Sequence, residues 1–112
     1  MTDSPTTAQK IAFRRKTIRT MKDELDQTLS SVQSRNYQAA KTPFESAKKK
    51  WFTFGGTIKR IAPDLYEIID PGFKTINTLL NQASPQQGNL TAQLQRVVEA
   101  AAKAVTISDA KE

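Results

Sequence analysis

The chain has 112 residues, no cysteine and no histidine, and a formal net charge of +6 at pH 7. This length fits one domain with a single hydrophobic core. The missing residue types exclude a nucleophilic Cys, a Ser-His pair, a zinc finger and a His-ligated haem. We therefore predict a protein that is not an enzyme and has no cofactor. No apolar segment approaches the roughly 18 to 20 residues that cross a bilayer, so no transmembrane segment is expected.

Positive charge is concentrated in the first half of the chain. Residues 10 to 60 carry thirteen Lys or Arg against four Asp or Glu, whereas residues 61 to 112 carry four against six. A basic half of this kind can face phosphates, dock an acidic partner, or simply keep the protein soluble.

The opening segment MTDSPTTAQ is rich in Ser, Thr and Pro and lacks the apolar region of a signal peptide. It predicts a disordered leader over residues 1–6, and a second disordered segment is expected over residues 108–112. The compartment stays open. Between a cytosolic protein and a mature exported (periplasmic or lumenal) form whose export segment was replaced by a start Met, we favour the exported form.

Apolar residues at steps of three and four predict a first helix from Thr7 to about Ser34. The same spacing predicts a second helix from an N-cap at Asn36 to Ala62. Within it, TPFE fits a capping box with Thr42 as N-cap, so this helix should kink or restart at Pro43. The pair Gly55-Gly56 predicts a close approach to another helix, with a kink as the alternative.

The segment APDLYEIIDP predicts a short helical turn that is capped by Asp64 and stopped at Asp70-Pro71. After an Asp-Pro-Gly turn, GFKTINTLLNQA predicts a third helix with Lys74 and Asn77 on its solvated face. The loop SPQQGN follows, and Asn89 is expected to cap a fourth helix through about Ile107. Together these elements predict an all-α fold, an up-down four-helix bundle over residues 7–107 with a kinked or interrupted second helix.

The segment AKKKWFTF places three lysines beside aromatic residues. Helical spacing puts Trp51 in the core and leaves Phe52 nearer the polar side, where an exposed aromatic ring beside lysines suits a binding surface. The predicted partner-binding residues are Arg14, Arg15, Arg19, Lys48, Lys49, Lys50 and Phe52.

The leading hypothesis is a non-catalytic accessory protein that docks on a protein or a membrane-associated complex with an acidic surface. The alternative is a nucleic-acid-binding protein that uses the same residues. The oligomeric state stays open.

A third hypothesis concerns three carboxylates spaced three residues apart, Asp64, Glu67 and Asp70. Neighbouring members could share one side of a helical turn and approach a hard cation such as Ca²⁺. Helix capping also explains these residues, and it is the preferred explanation. If the carboxylates bind metal, the protein would be an extracytoplasmic accessory in metal uptake.

Residues 36 to 80 resemble the imelysin-type helical domain of periplasmic iron-uptake proteins. The resemblance lies in NYQAAKTPFESAKKKW and in GFKTINTLL, which is similar to that family's Gly-Phe-His-x-Ile-Glu-x-Leu-Leu helix. Lys74 and Asn77 stand at the positions of the family's His and Glu, and a charged Lys cannot ligate a metal. The resemblance therefore implies a helical scaffold that is used for contacts. A looser likeness, in architecture and charge, is to the basic four-helix extrinsic subunits of photosynthetic membrane complexes.

Overall fold

The structure is a computed structural model that describes residues 7–110, with the side chains of residues 15–107. Within this range it contains four α-helices and no β-strand, which confirms the all-α prediction. The helices are α1 (Thr7–Gln33), α2 (Tyr37–Ile61), α3 (Pro63–Leu80) and α4 (Gln87–Ala110). The predicted leader over residues 1–6 lies outside the described residues, as do residues 111–112 of the predicted tail.

A tight turn joins α1 to α2. Arg35 adopts a positive φ of 59°, and its amide donates to the carbonyl of Val32 at 2.9 Å, while the amide of Asn36 donates to the carbonyl of Ser31 at 2.8 Å. This pair of hydrogen bonds is the Schellman arrangement that ends many helices. The Asn36 side chain then accepts from the amide of Ala39 at 3.2 Å, which confirms the predicted N-cap of α2.

Helix α2 continues through Pro43, so the predicted restart with Thr42 as N-cap is wrong. Proline removes one helical N–H and disfavours the helix locally. Buried residues lie on both sides of it, however, with Ala40 before and Phe44 and Ala47 after. Burial of this apolar face stabilises the helix more than one missing hydrogen bond destabilises it.

Helix α3 also runs without interruption through a proline, Pro71, so the predicted stop at Asp70-Pro71 is wrong. The predicted cap at Asp64 is wrong too, because the N-cap is Ala62 and the helix begins with Pro63, whose fixed φ suits the first helical position. Across Pro71, the buried residues Ile69, Phe73 and Ile76 keep one apolar face in register. Similarly, α4 begins at Gln87, two residues before the predicted cap at Asn89.

The glycine that permits close helix packing is Gly72 and not the Gly55-Gly56 pair. A Cβ atom built on Gly72 would overlap the Cγ2 atom of Val97 in α4. The three atoms nearest to a Cβ on Gly55 belong to the indole of Trp51 in the same helix, the nearest at 3.1 Å, and a Cβ on Gly56 would meet nothing within 4 Å. The predicted close approach at Gly55-Gly56 is therefore wrong. Gly72 lies inside α3, so the predicted Asp-Pro-Gly turn is wrong as well.

One hydrophobic core joins the four helices. Helix α1 packs on α2 and α4, and α3 packs on the same two helices. Trp51 is only 3% exposed, which confirms its predicted place in the core; its ring stacks on Phe73 at 5.8 Å and on Tyr66 at 5.4 Å between centroids. The buried hydroxyl of Thr28 donates to the carbonyl of Glu24 at 2.8 Å, so it is satisfied inside its own helix.

Candidate docking face on α2

Phe52 is the exposed large hydrophobic residue among the described side chains, with 74% of its surface accessible to solvent. Its position follows from the register of α2. The opposite side of the helix is buried through Phe44, Ala47, Trp51 and Ile58, so Phe52 must point outward. An exposed ring on an otherwise well-buried helix is the feature that most needs a functional explanation.

Lysines surround Phe52 on the same side of α2. Lys48 and Lys49 precede it by four and three residues, and Lys59 follows it by seven, so the three share its side of the helix. Lys41, seven residues before Lys48, extends the row. We call the set Lys41, Lys48, Lys49, Phe52 and Lys59 the α2 basic face.

The three adjacent lysines of the sequence point in different directions. Lys48 Nζ reaches α3, where it donates to Asn77 Oδ1 at 3.3 Å, and it also pairs with Glu45 at 3.1 Å. Lys50 reaches α1 instead, where it forms an ion pair with Glu24 at 2.9 Å. Lys49 lies between them and is exposed. The structure thus places Lys48 and Phe52 at one pocket between α2 and α3, while Lys49 and Lys50 line a groove of about 270 Å³ between α1 and α2.

The predicted arginines lie on α1. The side chain of Arg14 lies outside the described side chains, Arg15 is half-buried, and Arg19 is exposed. Arg19 lines a groove of about 350 Å³ between α1 and α4, together with Val105. The structure therefore does not place Arg19 beside Phe52.

Lys22 lies in the same α1–α4 groove and has a raised pKa. Lys22 lines it and donates to the carboxylate of Asp26, with an N–O distance of 2.7 Å. This hydrogen bond and the negative charge of Asp26, with a smaller contribution from Asp23, raise the pKa of Lys22 above its ordinary value of 10.5. Asp23 also lines the groove, so the positive charges of Arg19 and Lys22 are accompanied there by the negative charges of Asp23 and Asp26.

A small pocket of about 140 Å³ opens between α2 and α3 beside Phe52. Trp51 and Phe73 are its buried members, and Trp51 Nε1 donates to Asp70 Oδ1 at 3.0 Å. Lys74 forms an ion pair with Asp70 Oδ2 at 3.4 Å. We call this the α2–α3 pocket, and its lining residues are Lys48, Trp51, Phe52, Asp70, Phe73, Lys74 and Asn77.

Lys74 and Asn77 were both predicted on the solvated face of their helix. For Lys74 this is confirmed, since its side chain is 77% exposed. For Asn77 it is wrong, because the residue is half-buried and its amide oxygen accepts a hydrogen bond from Lys48. The register of α3 turns Asn77 towards α2, and the long Lys48 side chain bridges the two helices there.

The three carboxylates considered as a cation site have separate surroundings. Asp64 and Glu67 are exposed, and Asp64 lines a groove of about 720 Å³ that also includes Lys103 of α4. Asp70 is engaged by Trp51 and Lys74 in the α2–α3 pocket. Among the side chains that the structure describes, no three His, Cys, Asp or Glu residues are grouped so that they could hold a metal ion.

Three lysines of this region were missed by sequence reasoning, namely Lys41, Lys59 and Lys74. Lys59 shares the side of Phe52 and lies over the ring of Tyr66, with its Nζ 5.4 Å from the ring centroid. Its spacing of seven residues from Phe52 is a signal that could have found it. Lys74 comes from another helix, and nothing in its local sequence indicates that it borders the same pocket as Phe52.

Within the described helices, none combines the length and the apolar character needed to cross a membrane. Comparison of the chain with models of protein families, with curated proteins and with solved structures finds no match.

Proposed function

We propose that this protein is a non-catalytic binding protein that docks on the acidic surface of a protein partner, free or within a membrane-associated complex. The contact surface is the α2 basic face. Its lysines supply charge complementarity and speed the encounter, and the ring of Phe52 supplies the apolar anchor.

The exposure of Phe52 is the observation that carries the proposal. An aromatic side chain buries 150 to 250 Å² when it is covered, and each Å² of apolar surface contributes about 25 cal/mol. With 74% of its surface exposed, covering Phe52 would favour association by about 3 kcal/mol before the costs of association are subtracted. A lysine-rich surface without such an anchor would have a simpler explanation in solubility.

The charge pattern around Phe52 favours a protein partner over a nucleic acid. Glu45 and Asp70 lie among the lysines, where they pair with Lys48 and Lys74. A phosphate backbone presents only negative charge, so these carboxylates would offset part of its attraction to the lysines. A protein surface of mixed charge can match both signs.

The test is a pair of double charge reversals measured for binding to poly-L-glutamate at about 50 mM salt, where charges are weakly screened. The variant Lys49→Glu/Lys59→Glu alters the α2 basic face. The matched control, Arg96→Glu/Lys103→Glu, makes the same change in net charge on exposed residues of α4.

We expect binding to be lost in the α2 variant and retained in the α4 control. Equal loss in both double variants would show that only net charge matters and would overturn the proposal. Tighter binding to duplex DNA than to poly-L-glutamate, with a steep salt dependence, would support the nucleic-acid alternative instead.

For the architecture, we infer an up-down order of the four helices. Consecutive helices contact each other, α1 also contacts α4, and the connections are short. We further propose a bend in α2 at Pro43, because proline lacks the N–H that the carbonyl of Ala39 would otherwise receive. Distances between spin labels at the helix ends would test the order, since parallel neighbouring helices would contradict it.

Kinship with the imelysin-type helical domain is likewise a proposal. Its support is the sequence pattern around Phe44, Lys48 and Trp51 together with the continuous helix that contains Lys74 and Asn77. In this interpretation the helices serve as a scaffold for contacts, and the ammonium group of Lys48 lies between α2 and α3.

A further inference from the structure

We propose that the α2–α3 pocket is a binding site for a carboxylate side chain of the partner, in an acidic residue that is followed by an apolar one. This inference rests on the proposed function, since it names the group that the docking surface recognises. Its basis is the balance of hydrogen-bond donors and acceptors around the pocket.

The pocket has donors to spare. A lysine ammonium has three N–H donors and no acceptor. Lys48 Nζ contacts both carboxylate oxygens of Glu45 and the amide oxygen of Asn77, so its three donors are used. Lys74 Nζ, in contrast, has a single long contact, with Asp70 at 3.4 Å. No described residue accepts a hydrogen bond from the Nδ2 group of Asn77.

Each acceptor atom of the pocket, in contrast, already receives a donor. Asp70 Oδ1 accepts from Trp51 and Asp70 Oδ2 pairs with Lys74, while Asn77 Oδ1 accepts from Lys48. A ligand that uses the free donors of Lys74 and Asn77 must therefore bring acceptors. A carboxylate brings two oxygens and a negative charge that complements the exposed ammonium of Lys74.

Size and surroundings narrow the ligand further. A volume of about 140 Å³ corresponds to only a few water molecules at about 30 Å³ each, which suits one short side chain rather than a large organic molecule. The rings of Trp51 and Phe73 can contact the methylene groups of such a side chain, and Phe52 borders the opening. An apolar residue next to the acidic one on the partner can therefore cover Phe52.

The structure also supplies the reporter for a test. Trp51 is the one tryptophan of the chain, and its indole N–H donates to Asp70 at the pocket. Its indole resonance in a ¹H–¹⁵N NMR spectrum is therefore unique and local. We would titrate the full chain with N-acetyl-Glu-Leu-amide and with the uncharged analogue N-acetyl-Gln-Leu-amide.

We expect a saturable shift of the Trp51 indole resonance with the Glu peptide and an affinity at least tenfold weaker for the Gln peptide. Lys74→Met should lower the affinity for the Glu peptide by a similar factor, because it removes the exposed ammonium. Lys103→Met, on α4, should leave it unchanged. The dispersion of the amide spectrum shows whether each variant is folded.

Equal responses to both peptides, or unchanged affinity in Lys74→Met, would overturn the assignment. A response to inorganic phosphate stronger than to the Glu peptide would also overturn it, since the pocket would then be an anion site without preference for carboxylate. If neither peptide binds while poly-L-glutamate still requires Lys49 and Lys59, only this inference fails. If the Glu peptide binds but the binding of poly-L-glutamate does not depend on Lys49 and Lys59, the proposed docking function is wrong and the assignment of the pocket is retained.

Discussion

Replacement of Gly72 by alanine tests the closest packing between α3 and α4. The added Cβ would overlap Cγ2 of Val97, which is fully buried. Valine in a helix is almost confined to one χ1 rotamer, so the methyl group cannot rotate away. Overpacking of this kind costs about 1 to 3 kcal/mol, and the better helix propensity of alanine returns about 1 kcal/mol. We expect the free energy of unfolding to fall by up to about 2 kcal/mol.

The measurement is urea unfolding followed both by far-ultraviolet circular dichroism and by the fluorescence of Trp51. Coincident curves would justify a two-state analysis. A second substitution, Val97→Ala, removes the overlapping methyl group. We expect the double variant Gly72→Ala/Val97→Ala to be more stable than the sum of the two single effects predicts, with a coupling of about 0.5 kcal/mol or more.

Gly56→Ala is the matched control, because a Cβ at that position meets no atom within 4 Å. It should raise the free energy of unfolding by about 0.5 to 1 kcal/mol through helix propensity and a less flexible unfolded chain. If Gly72→Ala were stabilising to the same degree as Gly56→Ala, the close approach of α3 to Val97 would be refuted.

Three further predictions concern the helix ends and one ion pair. Arg35→Gly should raise the free energy of unfolding by about 0.5 kcal/mol, because glycine adopts the positive φ of this position without strain. A lower free energy of unfolding in a urea titration would contradict this. Asn36→Ala should lower it by about 1 kcal/mol through loss of the N-cap of α2, and an unchanged midpoint would argue against that cap. The folded-state pKa of Lys22 is raised, so its pairing with Asp26 stabilises the fold below pH 10.5 and is lost as pH rises through the folded-state pKa. Asp26→Asn should therefore reduce the free energy of unfolding by about 0.3 to 0.5 kcal/mol at pH 8. At strongly alkaline pH the variant and the unmodified protein should be equally stable, and thermal melts at both pH values would show this.

The helices could be predicted from the sequence because apolar spacing reports burial directly. This spacing also placed Trp51 in the core and Phe52 outside. At Pro43 and Pro71 the prediction gave the proline more weight than the apolar spacing, and it therefore placed helix breaks where the helices are continuous. Each proline removes one hydrogen bond, whereas the continuous apolar face around it is buried against other helices.

The role of Gly72 could not be predicted, because it depends on a residue far away in the chain. Asp-Pro-Gly is a common turn sequence, and only the position of Val97 in α4 shows why a side chain is excluded there. The pair Gly55-Gly56 gave a similar signal without such a neighbour. A glycine in the local sequence indicates that the backbone can be approached closely, but it does not show whether another helix packs against it.

The candidate site was predicted in part. Consecutive residues of a helix are separated by about 100°, so Lys48, Lys49 and Lys50 point towards α3, solvent and α1 respectively. A count of basic residues along the chain cannot show this divergence. Lys74 joins the pocket from α3, a contribution that requires the packing of two helices to be known.

The side chain of Gln87 links the two halves of the chain. Its Nε2 group donates to the carbonyls of Val32 and Gln33 at 3.3 and 2.9 Å, and its Oε1 accepts from Arg35 at 3.3 Å. The carbonyl of Val32 also accepts from the amide of Arg35, whereas the carbonyl of Gln33 has no later residue of α1 to accept from. The last carbonyl of the first helix therefore finds its protein donor only when the last helix has docked. In a fragment that contains α1 and α2 alone this carbonyl would accept from water instead, so the contact should couple the folding of the two halves.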